Sequence, residues 1–141
     1  ARTDAPGANV RTQSVEIASD SGRVVAGTFT LAASAGDRGA RGAVLLIGGS
    51  GPQDRDGSRP DVPGYAPLRD FADSIAARGL HVLRLDDRGV GGSTGAFLGA
   101  TSLDFARDAQ VALRWLRAQP SVSRVAVVGH SEGALVAMLV A

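Results

Sequence analysis

The stretch that decides the fold is Val125-Ala-Val-Val-Gly129-His130-Ser131-Glu132-Gly133-Ala134-Leu-Val-Ala. A β-branched run leads into a turn with glycine at both ends and serine at its centre, and an apolar helix-forming run follows. This is the G-x-S-x-G pattern of a nucleophile elbow in its strand-turn-helix setting. Positions 129 and 133 require glycine for a steric reason. Side chains at Gly129 and Gly133 would collide with the backbone around a strained central residue. The pattern favours Ser131 as a nucleophile over a chance serine in a glycine-flanked turn.

The composition excludes several classes of site. A chain of 141 residues can bury a sizeable core as one domain, and its net charge of +1 argues against nucleic acid or an acidic membrane as partners. All 15 basic residues are arginine, which excludes a lysine-dependent phosphate loop or Schiff base. The absence of cysteine excludes disulfides, thiolate metal sites and a cysteine nucleophile. No apolar run approaches the roughly 20 residues of a membrane span, and neither a metal nor an organic cofactor is expected.

The first residues form a polar lead. Residues 1–9 contain proline and glycine and are expected to be flexible. The lead fits a mature exported bacterial protein and an artificially trimmed chain equally well, so the compartment stays open.

Strand and helix patterns alternate over residues 10–141. Two β-rich runs around the turn 19–22 predict an antiparallel hairpin, and three apolar runs predict buried strands. The segments between these strands carry apolar residues at helical spacing. The sequence therefore predicts an α/β fold, with a mostly parallel sheet, an N-terminal antiparallel hairpin and helices on both faces.

Each predicted helix has an expected buried face. Thr101 and Asp104 resemble a capping box at the start of the second helix. The final helix, residues 134–141, is apolar around its whole circumference and should be buried on all sides. The expected buried stripes of the first and second helices are Leu68, Phe71, Ala72, Ile75 and Ala76, and Leu103, Ala106, Ala109, Leu113 and Leu116.

Three glycine-rich loops should meet at one edge of the sheet. They are residues 48–64, residues 86–99 and the elbow, and sites form where the carboxyl ends of parallel strands meet. Glycines let backbone N–H groups approach a substrate oxygen, as an oxyanion hole requires. The expected donors are the N–H groups of Glu132 and Ser50, although Gly49 or Gly51 could replace Ser50 after a one-residue shift.

Charged residues in the first loop have a structural interpretation. Asp54, Arg55 and Asp56 are expected to brace the loop, the alternative being a solvated charge run. In the second loop the dinucleotide-binding pattern G-x-G-x-x-G, started at Gly89, would need glycine at position 94, where the chain has Thr94. A nucleotide site is therefore a weak alternative.

The remaining titratable residues near this edge are not expected to act on Ser131. Asp86 and Asp87 are interpreted as structural, with Arg88 as the expected partner. His130 should point into the flanking structure, and His81 should lie at the opposite end of the sheet.

Three motifs in this order carry a family resemblance. They are Gly48-Gly-Ser-Gly-Pro-Gln-Asp-Arg-Asp56, Asp87-Arg-Gly-Val-Gly-Gly-Ser-Thr-Gly95 and Gly129-His-Ser-Glu-Gly133. With them the chain resembles the amino-terminal half of an α/β-hydrolase fold serine hydrolase. The first motif is similar to the oxyanion loop of a bacterial esterase branch, which reads G-S-G-P-x-D-R-D. The resemblance implies that Ser131 is the nucleophile, that Ser50 and Glu132 form the oxyanion hole, and that the substrate is a small acyl ester.

In such a family the triad acid and histidine follow the elbow, so both are expected outside this chain. We therefore expect residues 10–141 to be the amino-terminal part of one hydrolase domain, truncated after the nucleophile helix and nearly inactive alone. A complementing carboxyl-terminal segment or a dimer partner would complete it. The alternative is a non-catalytic or split module that binds such a partner through its open sheet edge. Peptide hydrolysis would use the same residues as ester hydrolysis.

Overall fold

The computed structural model describes residues 10–33 and 42–141. The predicted flexible lead, residues 1–9, lies outside them. The elements in the described residues are β1 Thr12–Ala18, β2 Val24–Thr30, β3 Gly42–Ile47, α1 Pro67–Ala76, β4 His81–Leu85, α2 Ser102–Arg117, β5 Arg124–Gly129 and α3 Glu132–Val140.

The strands form one mixed sheet in the order β1-β2-β4-β3-β5. β1 and β2 form an antiparallel hairpin, and β2 is also antiparallel to β4. β3 lies parallel to both β4 and β5. This arrangement confirms the predicted fold class. It also places β5, the strand before the elbow, at one edge of the sheet beside β3.

Helices cover both faces of this sheet, and β3 contributes to both cores. Along a strand, successive side chains point to opposite faces. Ala43 and Leu45 belong to the larger cluster, which α2 and α3 cover, whereas Val44 and Leu46 pack with Ala72 of α1 on the other face. An unbroken apolar run is therefore what a strand between two helix layers requires.

The start of α2 is capped as the sequence predicts. The N–H of Asp104 donates to the Thr101 hydroxyl at 3.4 Å, and the N–H of Thr101 donates to the Asp104 carboxylate at 3.0 Å. These bonds from the backbone and hydroxyl of Thr101 lower the pKa of Asp104 to about 2. The capping box is confirmed, and it fixes where the second glycine-rich loop ends.

Two residues of the predicted helix faces are not buried. The side chains of Phe71 and Leu103 are 48% and 58% exposed, so their assignment to the buried stripes was wrong. Leu103 lies in the first turn of α2, whereas the buried residues of that helix begin at Ala106. Phe71 is adjacent to the buried Ala72 and lies at the side of α1 rather than against the sheet.

The last helix is also more exposed than expected. Its buried residues are Gly133 and Val136, while Leu135, Met138 and Leu139 are 45%, 71% and 43% exposed. Its main packing partners in the described residues are α2, β5 and β3, and its other side is largely exposed. The same part of the chain contains no helix with the length and apolarity needed to cross a membrane.

Candidate active site

Ser131 lies in a tight turn between β5 and α3. β5 ends at Gly129 and α3 begins at Glu132, so only His130 and Ser131 join them. Ser131 has φ 55° and ψ −121°, and it is the only residue other than glycine with a positive φ in the described residues. Such a conformation costs about 1–3 kcal/mol. The N–H of His130 donates to the carbonyl oxygen of Ile47 at 3.0 Å and so anchors the strained turn to the end of β3.

The two elbow glycines are required by close backbone contacts. A Cβ atom on Gly129 would overlap the backbone of Gly133. A Cβ atom on Gly133 would overlap the carbonyl oxygen of Gly48 and lie 2.6 Å from that of Ile47. The turn therefore folds onto itself and onto the end of β3 only because both positions lack a side chain.

The loop after β3 runs directly beside this turn. A Cβ atom on Gly49 would lie 3.2 Å from both Nδ1 of His130 and Cβ of Ser131. Ser50, the next residue, is exposed at this edge. The N–H of Glu132 is in the first turn of α3, where the helix itself offers no acceptor. The structure thus brings both predicted oxyanion donors to the edge that holds Ser131.

Arg55 connects the loop after β3 to the neighbouring strands. Its Nε and Nη2 donate to the two carboxylate oxygens of Asp86 at 3.0 and 2.5 Å, and its Nη1 donates to the carbonyl of Gly27 at 2.6 Å. Burial favours the neutral form of Asp86, but hydrogen bonds from Arg55 and from the N–H of Gly92 outweigh it and lower the pKa of Asp86. The loop is thereby tied to the middle of β2 and to the residue that directly follows β4.

Asp54 and Asp56 add further bonds to the same loop. Oδ1 of Asp54 accepts the N–H groups of Asp56 and Ser58 at 3.0 and 2.9 Å. Burial opposes the ionisation of Asp54, but the hydrogen bonds from Ser58 prevail and lower its pKa. Asp56 forms an ion pair with the buried Arg84 of β4. All three charged residues predicted to brace the loop therefore have partners in the fold.

The predicted pairing of Asp86 and Asp87 with Arg88 was wrong. Arg88 does not pair with either residue but donates from Nε to Asp108 of α2 at 2.9 Å. Its guanidinium also lies 5.9 Å from the ring centroid of Phe105. Arg55 is instead the cation that binds Asp86.

A contact between Asp87 and Gln53 was missed by sequence reasoning. The N–H of Gln53 donates to Oδ2 of Asp87 at 2.9 Å, and the N–H of Asp87 donates to the carbonyl of Gln53 at 3.0 Å. The signal in the sequence was a pair of aspartates directly after a buried strand, at the edge where sites form. Nothing in the sequence indicated which residue of the other loop they would bind.

The two histidines occupy opposite ends of the sheet. His81 is buried at the start of β4, where its Nδ1 accepts the N–H of Ala32 at 3.0 Å and its Nε2 lies 3.1 Å from the Ser121 hydroxyl. Burial lowers the pKa of His81. His130 adjoins Ser131, but the described residues show no hydrogen bond from its ring to the Ser131 hydroxyl. Neither imidazole is placed to take the proton of Ser131.

A groove of about 510 Å³ runs beside the elbow, between α1 and the edge strand β5. Tyr65, Leu68, Phe71, Val128 and His130 are among its lining residues. The exposed ring of Phe71 thus belongs to the groove rather than to the core. No group of three or more acidic, histidine or cysteine residues suited to a metal ion is found in the described ranges 10–33 and 42–141.

Solved structures share this fold. An α/β hydrolase from a Penicillium species is 23% identical and superposes with a TM-score of 0.74 over 92% of this chain and 41% of its own. An esterase from Pyrococcus furiosus is 25% identical, with a TM-score of 0.70 over 92% of this chain and 46% of its own. Brefeldin A esterase, a bacterial homologue of human hormone-sensitive lipase, is 20% identical, with a TM-score of 0.71 over 99% of this chain and 37% of its own. The chain thus spans less than half the length of these structures.

Sequence comparison identifies the family. No curated protein matches the chain. A family model described as serine aminopeptidase, S33, matches residues 65–141, which include α1, α2 and the whole elbow. Because this match covers more than half of the chain, and because the fold is that of the α/β hydrolases, the chain belongs to the serine aminopeptidase S33 family of α/β hydrolases.

Proposed function

We propose that this chain is the nucleophile-bearing part of a serine hydrolase that cleaves small carboxylic esters through an acyl-enzyme on Ser131. The observation that carries the proposal is the positive φ of Ser131 in a turn enclosed by backbone on both sides. Strain of this kind persists where the surroundings enforce it, and it is concentrated at functional sites. Here it raises a hydroxyl at the sheet edge where three loops meet.

The reaction needs a nucleophile, a base, two oxyanion donors and a carboxylate. Ser131 Oγ attacks the ester carbonyl carbon while a histidine from outside this chain takes its proton, and the N–H groups of Ser50 and Glu132 stabilise the oxyanion. The tetrahedral intermediate then expels the alcohol, which takes the proton from that histidine. Water, deprotonated by the same base, attacks the acyl-enzyme and releases the acid and free Ser131. A carboxylate, also from outside this chain, would orient the histidine.

Ester hydrolysis is preferred over peptide hydrolysis because two of the solved structures are esterases by name. The name of the family supports the peptide alternative. The two reactions use the same residues of this chain. The substrate therefore has to be determined with matched ester and amide substrates.

Covalent labelling tests the proposed nucleophile. The natural full-length protein that carries this sequence should react with a fluorophosphonate probe at Ser131 and hydrolyse p-nitrophenyl acetate faster than an aminoacyl p-nitroanilide. Ser131→Ala should abolish labelling and lower turnover on the order of 10⁴- to 10⁶-fold. Ser74→Ala, on the exposed side of α1, is the matched control and should change neither. Labelling that survives Ser131→Ala would refute the assignment.

The second candidate function is that of a non-catalytic or split module, which binds a complementing segment or a second copy. The exposed apolar residues Leu135, Met138 and Leu139 of α3, next to the edge strand β5, favour it. Such a module would bind its partner and remain unlabelled by the fluorophosphonate probe. Labelling of Ser131 in the natural protein would instead favour the hydrolase.

A further inference from the structure

A two-point contact joins the loop after β3 to the loop after β4. Gln53 and Asp87 exchange two hydrogen bonds, of 2.9 Å to the Asp87 carboxylate and 3.0 Å to the Gln53 carbonyl. One of the two is charge-assisted when Asp87 is ionised, and such bonds are about twice as strong as neutral ones. The position of Gln53 therefore depends on the state of the Asp87 carboxyl group.

Gln53 in turn contacts the segment that carries the proposed oxyanion donor. Its side-chain Nε2 lies 3.4 Å from the carbonyl oxygen of Ser50, and a Cβ atom on Gly48 would lie 2.5 Å from its Oε1. The segment 48–53 is held by β3 at one end and by Asp87 at the other. The N–H of Ser50 lies between these two fixed points.

We propose that Asp87 is a positioning residue, whose ionised carboxylate holds Gln53 and thereby places the N–H of Ser50 for the oxyanion. This inference rests on the proposed function, because Ser50 has that task only if Ser131 attacks an acyl carbonyl. Asp87 does not touch the substrate. It acts through the backbone of Gln53.

The surroundings of Asp87 make its ionisation sensitive to pH. Burial is the main cause that raises the pKa of Asp87 to about 6, against the opposing bond from Gln53. The nearby carboxylates of Asp86, of Glu132 on α3 and of Asp108 on α2 contribute to the same shift. The nearby cations are engaged elsewhere, with Arg55 on Asp86 and Arg88 on Asp108. A cavity of about 40 Å³ borders Asp86, Asp87 and Asp108. Below about pH 6 the carboxylate is protonated and the contact weakens.

Amide NMR on the full-length protein tests the contact without relying on catalysis. The amide proton of Gln53 should show a pH-dependent shift with a midpoint near 6, and Asp87→Asn should remove it. Asp61→Asn, an exposed acid of the same loop, should leave the shift in place. A Gln53 amide that does not titrate, or that still titrates in Asp87→Asn, would overturn the inference.

Kinetics test the positioning role. Because an oxyanion contact is made in the transition state, Asp87→Asn should lower kcat roughly 10-fold and leave KM within about twofold. The acid limb of kcat should also be less steep than in the unmodified protein, because one titrating group has been removed. A merely structural role would lower the melting temperature but leave the shape of the pH profile unchanged, and that result would overturn the inference. Failure of the proposed function has a separate signature, which is activity that survives Ser131→Ala.

Discussion

Ser131 has a backbone conformation that glycine adopts without strain. Ser131→Gly and Ser131→Ala both remove the hydroxyl, so their difference isolates the effect of the Cβ atom on the backbone. We expect the free energy of unfolding of Ser131→Gly to exceed that of Ser131→Ala by about 1 kcal/mol, because relief of strain outweighs the greater flexibility of unfolded glycine. Urea denaturation measures it. A lower stability of the glycine variant would mean that the turn is unstrained.

Gly133 is the residue where a common stabilising change should fail. Replacing glycine by alanine inside a helix normally stabilises it by up to about 1 kcal/mol. Here the new Cβ atom would meet the carbonyl oxygens of Gly48 and Ile47, neither of which can move without moving β3. Gly133→Ala should therefore lower the free energy of unfolding by about 2–3 kcal/mol. Urea denaturation is again the measurement.

The control for this change is Gly64→Ala. Gly64 has a φ of 80° but no atom within 4 Å of an added Cβ. Gly64→Ala should lower the free energy of unfolding only by the conformational strain, about 1 kcal/mol. Equal effects at both glycines would contradict the close contact at the elbow.

Among the larger elements, the loop after β3 depends on a buried ion pair. The side chain of Asp86 is only 2% exposed, and that of Arg55 is 23% exposed. Arg55→Met leaves the Asp86 carboxylate without its main partner and should destabilise the fold by about 2–4 kcal/mol at pH 7. Since the pair lowers the pKa of Asp86, its stabilisation is fully present above the ordinary carboxyl pKa and is lost progressively as the pH falls through the lowered pKa. Denaturation at pH 7 and at pH 3 measures both effects.

Arg59→Met is the matched control in the same loop. The Arg59–Asp61 pair is 59% and 64% exposed, so its removal should change stability by less than about 0.5 kcal/mol. A cost as large as that of Arg55→Met would show that loop charge, rather than the buried pair, sets the stability.

The strands, the capping box and the strand-turn-helix segment around Ser131 could be predicted because their determinants are local. A continuous apolar run predicts β3. Thr101 and Asp104, which are three residues apart, predict the start of α2. The pairs Arg55–Asp86 and Gln53–Asp87 could not be predicted, since their members are 31 and 34 residues apart and meet only after the sheet has formed. Phe71 was misassigned for a related reason. Helical spacing identifies the apolar face of a helix, but it does not show how much of that face packs against the sheet.

At the scale of the whole molecule, the apolar side of α3 sets how the chain behaves alone. We expect the 141-residue chain to self-associate, because Leu135, Met138 and Leu139 are exposed together beside an edge strand. Replacing Met138 and Leu139 by lysine should reduce the associated fraction in sedimentation velocity severalfold. Leu98→Lys should not, although Leu98 is 90% exposed, because it lies in the loop after β4 rather than on α3. Equal effects of both changes would point to general hydrophobicity instead.

The anchoring of the elbow on β3 also orders events during synthesis. The strained turn is held by Ile47 and abuts Gly48, residues that leave the ribosome more than eighty positions before Ser131. Until β5 has joined β3, nothing in the described residues compels Ser131 to keep a positive φ, and the nascent turn can relax. The serine geometry thus reports the pairing of β5 with β3, so a chain in which these strands have not yet paired would expose an ordinary, unstrained serine.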